Sequence, residues 1–385
     1  MKILFVVNGM FAKGNGLSAS ARRTVRKLRE AGEEVKILSA ANPDPNGEQP
    51  DFCLKHFKFP VFEKLITRQG YGFAAVDKAI IRQAVKWADV VHIEEPFFIQ
   101  MATCKIAKEE GVPCTATYHL HPENLFASVG MEKSRLFNDT MMRVWRDKVF
   151  DRCKIVQCPT QNVKERLEQW HYKAELRVIS NGLVLSDLTR HETGEEVQKP
   201  YEAKYVVISI GRYSAEKDLR TLLLSMRYCK HAWDVQLVLA GRGPREKKLR
   251  KIAKQLVDEG VLRYPPIFGF HSLTELQAIS MTADLYVHCA KIEVEGLSCM
   301  EAIQTGLVPI IAKGKYTATS QFALSEDSMY EAGNAEQLAQ KIDLWLSDDE
   351  RRKAEAEKYC NLGNEYDIDK SIEELRLMFR DAVEH

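Results

Sequence analysis

Two short apolar runs, Ala283-Asp-Leu-Tyr-Val-His288 and Leu307-Val-Pro-Ile-Ile311, flank the segment Lys291-Ile-Glu-Val-Glu-Gly-Leu-Ser-Cys-Met-Glu-Ala-Ile-Gln-Thr-Gly306. That arrangement restricts the fold more than any other feature of the chain. The runs have the length of buried strands, and residues 297–305 between them read as a short helix closed by Gly306. A strand, a loop, a helix and a second strand in this order form a unit of the parallel-sheet kind. The loop ends at the helix N-terminus, where unpaired N–H groups of Gly296, Leu297 and Ser298 make an anion site with phosphate as its natural guest.

Two carboxylates bracket that site, Glu293 in the loop and Glu301 in the helix, with seven residues between them. They take different work, because Glu301 lies roughly one turn further down the helix. A carboxylate with two acceptor oxygens suits the vicinal hydroxyls of a ribose or a sugar ring. In isolation such a pair is a solvated loop acid and an ordinary helix Glu; its coincidence with a strand end, a glycine and a helix start favours the functional reading.

A second strand end carries cations. Tyr205-Val-Val-Ile-Ser-Ile-Gly211 reads as a buried strand, Arg212-Tyr-Ser-Ala-Glu-Lys217 follows, and a helix is expected over residues 219–228. Arg binds a diphosphate with a planar fork and Lys as a point charge, so Arg212 and Lys217 suit one together. Near the start, residues 2–7 read as the first strand and about 17–30 as a helix, with Gly14 and Gly16 in the turn between them. These glycines let backbone approach a ligand, and an ordinary flexible turn accounts for them equally well. The helix puts Ala21, Val25 and Leu28 on its inner stripe and carries Arg22, Arg23, Arg26, Lys27 and Arg29. Those cations are either a solvated face or a surface leaning on anionic phospholipid, where each contributes about 1 kcal/mol.

Further strands are expected at residues 89–93 and 114–118, the latter delivering His119 at its end. His119 and His121 lack the supporting acids of a metal site. The aromatic stretch 57–73 reads as a wrapped core loop or as a lip where a lipid enters, and residues 131–154 as a helix with core packing or acceptor contact open to it. The polar run 189–200 reads as a linker, and residues 366–384 as a final helix.

A chain of 385 residues suits two domains. Nine scattered cysteines without metal-ligand spacing read as free thiols of a reducing cytoplasm. No apolar run approaches the roughly 20 residues of a membrane span, and residues 1–7 read as a buried strand rather than a signal peptide. The net charge of +1 hides an asymmetry: residues 1–183 hold 28 Lys+Arg against 21 Asp+Glu, and the remainder 27 against 33. A basic half suits anionic lipid or the acidic half; with no aromatic RNA motif or zinc finger, nucleic acid is not an expected partner.

The segment Glu293-Val-Glu-Gly-Leu-Ser-Cys-Met-Glu301-Ala-Ile-Gln-Thr-Gly306-Leu-Val-Pro309 resembles the E-x7-E signature of family 4 glycosyltransferases, and Gly211-Arg212 through Lys217 resembles the family's G-R-x-x-x-x-K motif. Val294 and Glu295 stand where Gly and Phe are commonest, Asp218 where Gly is usual, and Arg242 in place of an acid. The wording is similar to the bacterial subgroup that glycosylates membrane diacylglycerol. The resemblance implies an α/β fold of GT-B architecture, two facing Rossmann-like domains with parallel sheets. Residues 1–188 would form the acceptor side, with helix 366–385 crossing back to it, and residues 200–365 the nucleotide-sugar side. Glu293 and His119 would address the donor sugar and Glu301 the ribose. Arg212 and Lys217 would neutralise the diphosphate, Gly296, Leu297 and Ser298 would receive the donor, and Gly16 would face it.

The implied activity is retaining, front-face transfer of a hexose from a nucleotide sugar, a UDP-hexose, to a membrane lipid such as diacylglycerol. No metal is implied, since the D-x-D at Asp367-Ile-Asp369 lies in the tail. No cofactor is implied beyond the nucleotide sugar as co-substrate. The expected location is the cytoplasm, peripheral on the inner face of an anionic membrane. A sphingolipid or polysaccharide acceptor, a sugar-nucleotide epimerase and a non-catalytic binder are the competing readings.

Overall fold

The computed structural model describes residues 1–12, 16–57, 72–127, 131–132, 134–185 and 201–384. The chain forms two compact units. Unit 1 comprises Met1–Pro122, Glu132–Asn181 and Asp369–His385; unit 2 comprises Glu123–Met131 and Gly182–Ile368.

Unit 1 is built on β1 (Lys2–Val6), β2 (Glu34–Ala40), β3 (Phe52–Leu54), β6 (Val90–Ile93), β7 (Cys114–Thr117), β8 (Ile155–Cys158) and β9 (Glu175–Val178). A separate antiparallel pair joins β4 (His56–Phe57) to β5 (Phe73–Ala74). The large sheet is parallel throughout, in the order β3-β2-β1-β6-β7-β8-β9. Every residue of β6, β7 and β8 is buried, as in a sheet covered on both faces. The order reverses between β1 and β6, and a doubly wound sheet opens a crevice at the carboxyl ends of strands where this happens.

Helix α1 (Gly16–Glu30) follows β1 and buries the expected stripe of Ala21, Val25 and Leu28. Helix α2 (Arg135–Lys148) is shorter than residues 131–154, because Ser134 sits in extended backbone before it and Val149, at φ −128°, breaks it ahead of a single tight turn. The C-terminal helix Ile368–Glu384 buries Ile372, Leu375, Met378, Phe379 and Ala382. Within unit 1, Phe379 packs edge-on to His92 at 5.1 Å, Arg376 donates to Glu33 at 2.7 Å, and Arg177 donates to Asp381 at 2.6 Å.

Unit 2 repeats the winding with β10 (Tyr205–Ile210), β11 (Val235–Ala240), β12 (Ile267–Gly269), β13 (Leu285–His288), β15 (Val308–Lys313) and β17 (Met329–Glu331). Its order is β12-β11-β10-β13-β15-β17, all parallel, reversing between β10 and β13. The strands fill one core with Leu222, Leu223, Met300, Ile303, Leu338, Ile342 and Trp345. Helix α3 (Leu297–Gln304) connects β13 to β15, as the spacing of residues 283–311 requires. Glu293 is not in an irregular loop: β14 (Ile292–Glu293) pairs in parallel with β16 (Tyr316–Thr317). Leu183 N–H donates to Tyr366 C=O at 2.7 Å and Ile368 N–H to Leu183 C=O at 2.8 Å, so the chain enters and leaves unit 2 side by side.

Gly14, most of the stretch 57–73 and the linker at 189–200 fall outside the described residues. Among the described residues no helix is long and apolar enough to cross a membrane. All nine cysteines are free, and seven of them are buried.

Candidate active site at the β10 and β13 strand ends

The residues after β10 and β13 meet at the reversal point of the unit 2 sheet. Gly241, leaving the neighbouring β11, crosses so close that a Cβ there would lie 1.9 Å from Gly211 C=O. Arg212 and Lys217 are both half-buried in the turn that follows β10. Arg212 Nη2 lies 3.0 Å from Glu216 Oε1, which also accepts from Ser214 Oγ at 2.5 Å. Glu216 is buried and its carbonyl accepts from Lys291 N–H at 2.7 Å, so the two strand-end turns are tied together. Asp218 adds a second tie, its carboxylate 2.6 Å from Lys291 Nζ and accepting from Thr221 Oγ1 at 2.6 Å. At φ +42° it occupies left-handed backbone, which explains the Asp in a glycine position: Asp is among the few residues that tolerate this region.

Lys217 forms an ion pair with Glu293, so the cation of one motif and the first carboxylate of the other are brought into contact. Burial alone would raise the Glu293 carboxyl, but Lys217 and His288 outweigh it and hold the group ionised, below the usual carboxylate range. His288 Nε2 lies 3.4 Å from Glu293 Oε2. Burial pushes the His288 imidazole down, against the pull of the carboxylate.

Gly296 caps α3 at φ +98°, and a Cβ there would lie 2.5 Å from Thr319 Oγ1. A glycine is thus required twice over, by backbone and by Thr319. Leu297 and Ser298 open the helix half-buried, Ser298 Oγ lies 3.0 Å from Tyr286 OH, and Glu301 is half-buried one turn on. Val294 and Glu295 are buried. The departure at Arg242 places its guanidinium over Phe270 at 4.7 Å.

Unit 1 presents a separate cluster. His119 Nε2 lies 2.8 Å from Glu94 Oε2, and Glu94 Oε1 lies 3.0 Å from His92 Nε2. His92 is further held by Thr115 and Thr117 hydroxyls at 2.9 and 3.0 Å. Burial would raise Glu94, but His119 and His92 bring it down to about 2. Next in sequence, Glu95 behaves oppositely: burial pushes it up to about 7, although it accepts from Asn8 N–H and from the side-chain amides of Asn8 and Gln100. Gly16 is exposed at the start of α1, and a Cβ on it would meet nothing within 4 Å.

Two surfaces of unit 1 bear on the lipid question. On α1, Lys27 pairs with Asp369 at 2.7 Å, Arg29 with Glu48 at 3.4 Å and Arg26 with Glu30 at 3.7 Å. On α2, Met142 and Trp145 are buried while Leu136, Phe137 and Val144 are exposed, beside exposed Arg135, Arg143 and Lys148.

The sequence reading passed over Glu94, Glu216, His288 and Thr319. A signal existed for two of them: His288 ends an otherwise apolar strand, and Glu94 directly follows another.

Two doubly wound parallel sheets, with cations, carboxylates and a helix N-terminus gathered at one reversal point, define a two-domain α/β protein of GT-B architecture. Residues 14–187 match Glycosyltransferase Family 4 and residues 191–359 match Glycosyl transferases group 1. The chain belongs to the family 4 glycosyltransferases. It is 25% identical over 324 residues to the alpha-monoglucosyldiacylglycerol synthase of Streptococcus pneumoniae, spanning 82% of this chain and 71% of that one. The enzyme of the same name from Acholeplasma laidlawii is 22% identical, over 78% of this chain and 77% of its own. Anabaena Alr3699/HepE, solved in complex with UDP and glucose, shares the fold at a TM-score of 0.77 and 15% identity, covering 99% of this chain and 100% of that one.

Proposed function

We propose that this glycosyltransferase moves a hexose from a UDP-hexose to diacylglycerol in a membrane, with retention, giving an α-glycoside. The observation that carries the donor half is the contact of Lys217 with Glu293 beside Arg212 and the N-terminus of α3, all at one sheet reversal. Arg212 and Lys217 are suited to the diphosphate and to the charge that grows on it as the glycosidic bond breaks, without a metal. The N–H groups opening α3 face the same anion, and Glu301 suits the ribose hydroxyls. Glu293, held ionised, orients the hexose or stabilises its developing positive charge, and the leaving phosphate takes the acceptor proton on the same face. His119, fixed by Glu94, is assigned a contact to the donor sugar.

The lipid half is supported by the names of the two synthases and by α2. Leu136, Phe137 and Val144 are an exposed apolar strip with flanking Arg135, Arg143 and Lys148, the composition of a helix that lies in a membrane interface. The neutralised cations of α1 make it the weaker candidate. The protein would then work as a peripheral protein on the inner, anionic face of the cell membrane.

The test is mass spectrometry of products formed from UDP-glucose and related donors with diacylglycerol in vesicles, with and without anionic lipid. A hexosyl-diacylglycerol that disappears in Glu293→Ala is expected. Leu136→Asp with Phe137→Asp should cut vesicle binding at least about tenfold, since each side chain carries about 1.5–3 kcal/mol of burial, while UDP binding stays unchanged. Donor turnover without lipid product would overturn the acceptor assignment, and isomerised nucleotide sugar would point to an epimerase.

A further inference from the structure

Strand β13 ends in a buried polar chain that the donor site does not itself require. Leu285 and Val287 are apolar, whereas Tyr286 and His288 bring a phenol and an imidazole into the core, both buried. Tyr286 OH lies 3.0 Å from His288 Nδ1 and 3.0 Å from Ser298 Oγ. At its other nitrogen, His288 Nε2 lies 3.4 Å from both Thr319 Oγ1 and Glu293 Oε2.

The proton positions follow from Thr319. Its hydroxyl donates to Glu295 C=O at 3.1 Å, so toward His288 the oxygen can only accept, and Nε2 must carry the hydrogen. Burial favours the neutral ring, which leaves Nδ1 as an acceptor. Tyr286 therefore donates to Nδ1, and its oxygen accepts from Ser298. The run is directional: Ser298 O–H to Tyr286, Tyr286 O–H to His288, His288 Nε2–H toward Thr319 and Glu293.

We infer that His288 is a positioning residue for glycosyl transfer: with Tyr286 it joins the Ser298 hydroxyl at the helix N-terminus to the Glu293 carboxylate and fixes that carboxylate's orientation. Glu293 is otherwise held by Lys217, a flexible side chain that the donor diphosphate also attracts. An imidazole anchored at its far nitrogen supplies a stiffer constraint. A phosphate at the α3 N-terminus competes for the Ser298 hydrogen, so its arrival is felt at Glu293 through two intervening side chains. The inference rests on the donor-site reading above. The charged groups facing the ring are Glu293 from β14 and Lys217 from the turn after β10; Tyr286 and Thr319 face it as neutral hydroxyls.

The experiment compares the full chain with its His288→Leu, His288→Gln and Tyr286→Phe variants. UDP-glucose turnover is resolved into kcat and KM, UDP affinity is measured by calorimetry, and histidine nitrogens are followed by NMR. His288→Leu should lower kcat about 10- to 100-fold, the usual effect of removing an outer hydrogen-bond partner, with KM and UDP affinity within about threefold. His288→Gln, whose amide can donate from nearly the position of Nε2, should recover most of that loss. The wild-type ring should be neutral and Nε2-protonated at pH 7, and Tyr286→Phe should keep that tautomer, which Thr319 and Glu293 hold, while shifting the Nδ1 resonance as its donor is lost.

Wild-type kcat in a folded His288→Leu variant, or a His288→Gln variant as impaired as His288→Leu, would overturn the role. A proton on Nδ1 would overturn the chain itself. The NMR measurement needs no substrate. A wild-type protein that turns over no nucleotide sugar therefore sinks the proposed function and the kinetic role, and is told apart from a failure of the hydrogen-bond chain.

Discussion

Glu95→Gln should stabilise unit 1 in a strongly pH-dependent way. Glu95 is 4% exposed, and its Oε2 accepts from Asn8 N–H at 2.6 Å, Asn8 Nδ2 at 3.0 Å and Gln100 Nε2 at 3.0 Å. Its carboxyl is raised from 4.5 to about 7, first by burial and further by Glu94 next to it. A carboxyl raised on folding favours the native state fully below the unfolded value and loses that advantage as pH rises through the folded one. Ionisation therefore costs the native state about 3 kcal/mol at pH 8 and about 1 kcal/mol at pH 5, at 1.36 kcal/mol for each pK unit.

Glutamine keeps an acceptor for the same three donors and cannot ionise. Its stabilisation relative to the wild type should therefore be about 2 to 3 kcal/mol larger at pH 8 than at pH 5. Any constant packing difference cancels in that comparison. Urea unfolding read by hydrogen exchange in β1 and β6 reports unit 1 by itself, which matters because two units need not unfold together. A variant whose advantage is the same at both pH values, or that is less stable at pH 8, would refute the reasoning.

Three further outcomes are expected. Lys217→Ala removes the main charge holding Glu293 down, so the acid limb of the pH profile of kcat/KM should move to higher pH; an unmoved limb would mean that Lys217 does not set that ionisation. Gly296→Ala should lower stability by about 1–3 kcal/mol and UDP affinity with it, because left-handed backbone and the Thr319 clash act together; calorimetry of both quantities checks it. Asp218→Gly should be nearly neutral in melting temperature, relieving backbone strain while losing the Thr221 and Lys291 contacts, whereas Asp218→Val should cost about 2 kcal/mol.

Much of the fold was legible because local pattern and tertiary role agree in it. Strand β13 is buried throughout and β10 all but at its last residue, so they stand out as apolar runs, and Gly296 marks the turn into α3 because nothing larger fits. The Arg212, Lys217, Glu293 and Glu301 constellation was readable for the same reason: each residue sits at a strand end or helix start that the pattern locates. The contacts among those residues were not readable. Whether Lys217 meets Glu293 depends on β10 lying beside β13, although their first residues, Tyr205 and Leu285, are 80 positions apart in the sequence. Glu94 and His92 were missed because a buried polar residue looks in sequence like an interruption, and its partners, Thr115, Thr117 and His119, lie on the next strand and just beyond it. The end of α2 was overrun because helical periodicity carries through Val149 and Phe150, which remain buried after the helix stops.

The side-by-side passage at Leu183 and Ile368 makes residues 182–368, the main part of unit 2, an insertion with adjoining ends, and this sets an order of events during synthesis. Residues 182–368 leave the ribosome as a segment that can close on itself at once, its two ends clasped by backbone hydrogen bonds. Unit 1 begins first but closes only after residues 182–368 have been made, since Phe379, which packs on His92, follows them in the chain. A nascent chain thus carries that part of the unit 1 sheet uncovered until the residues beyond 368 have been added. Removing residues 369–384 would leave that face exposed permanently, while a break in the 182–368 segment leaves the closure of unit 1 chemically intact.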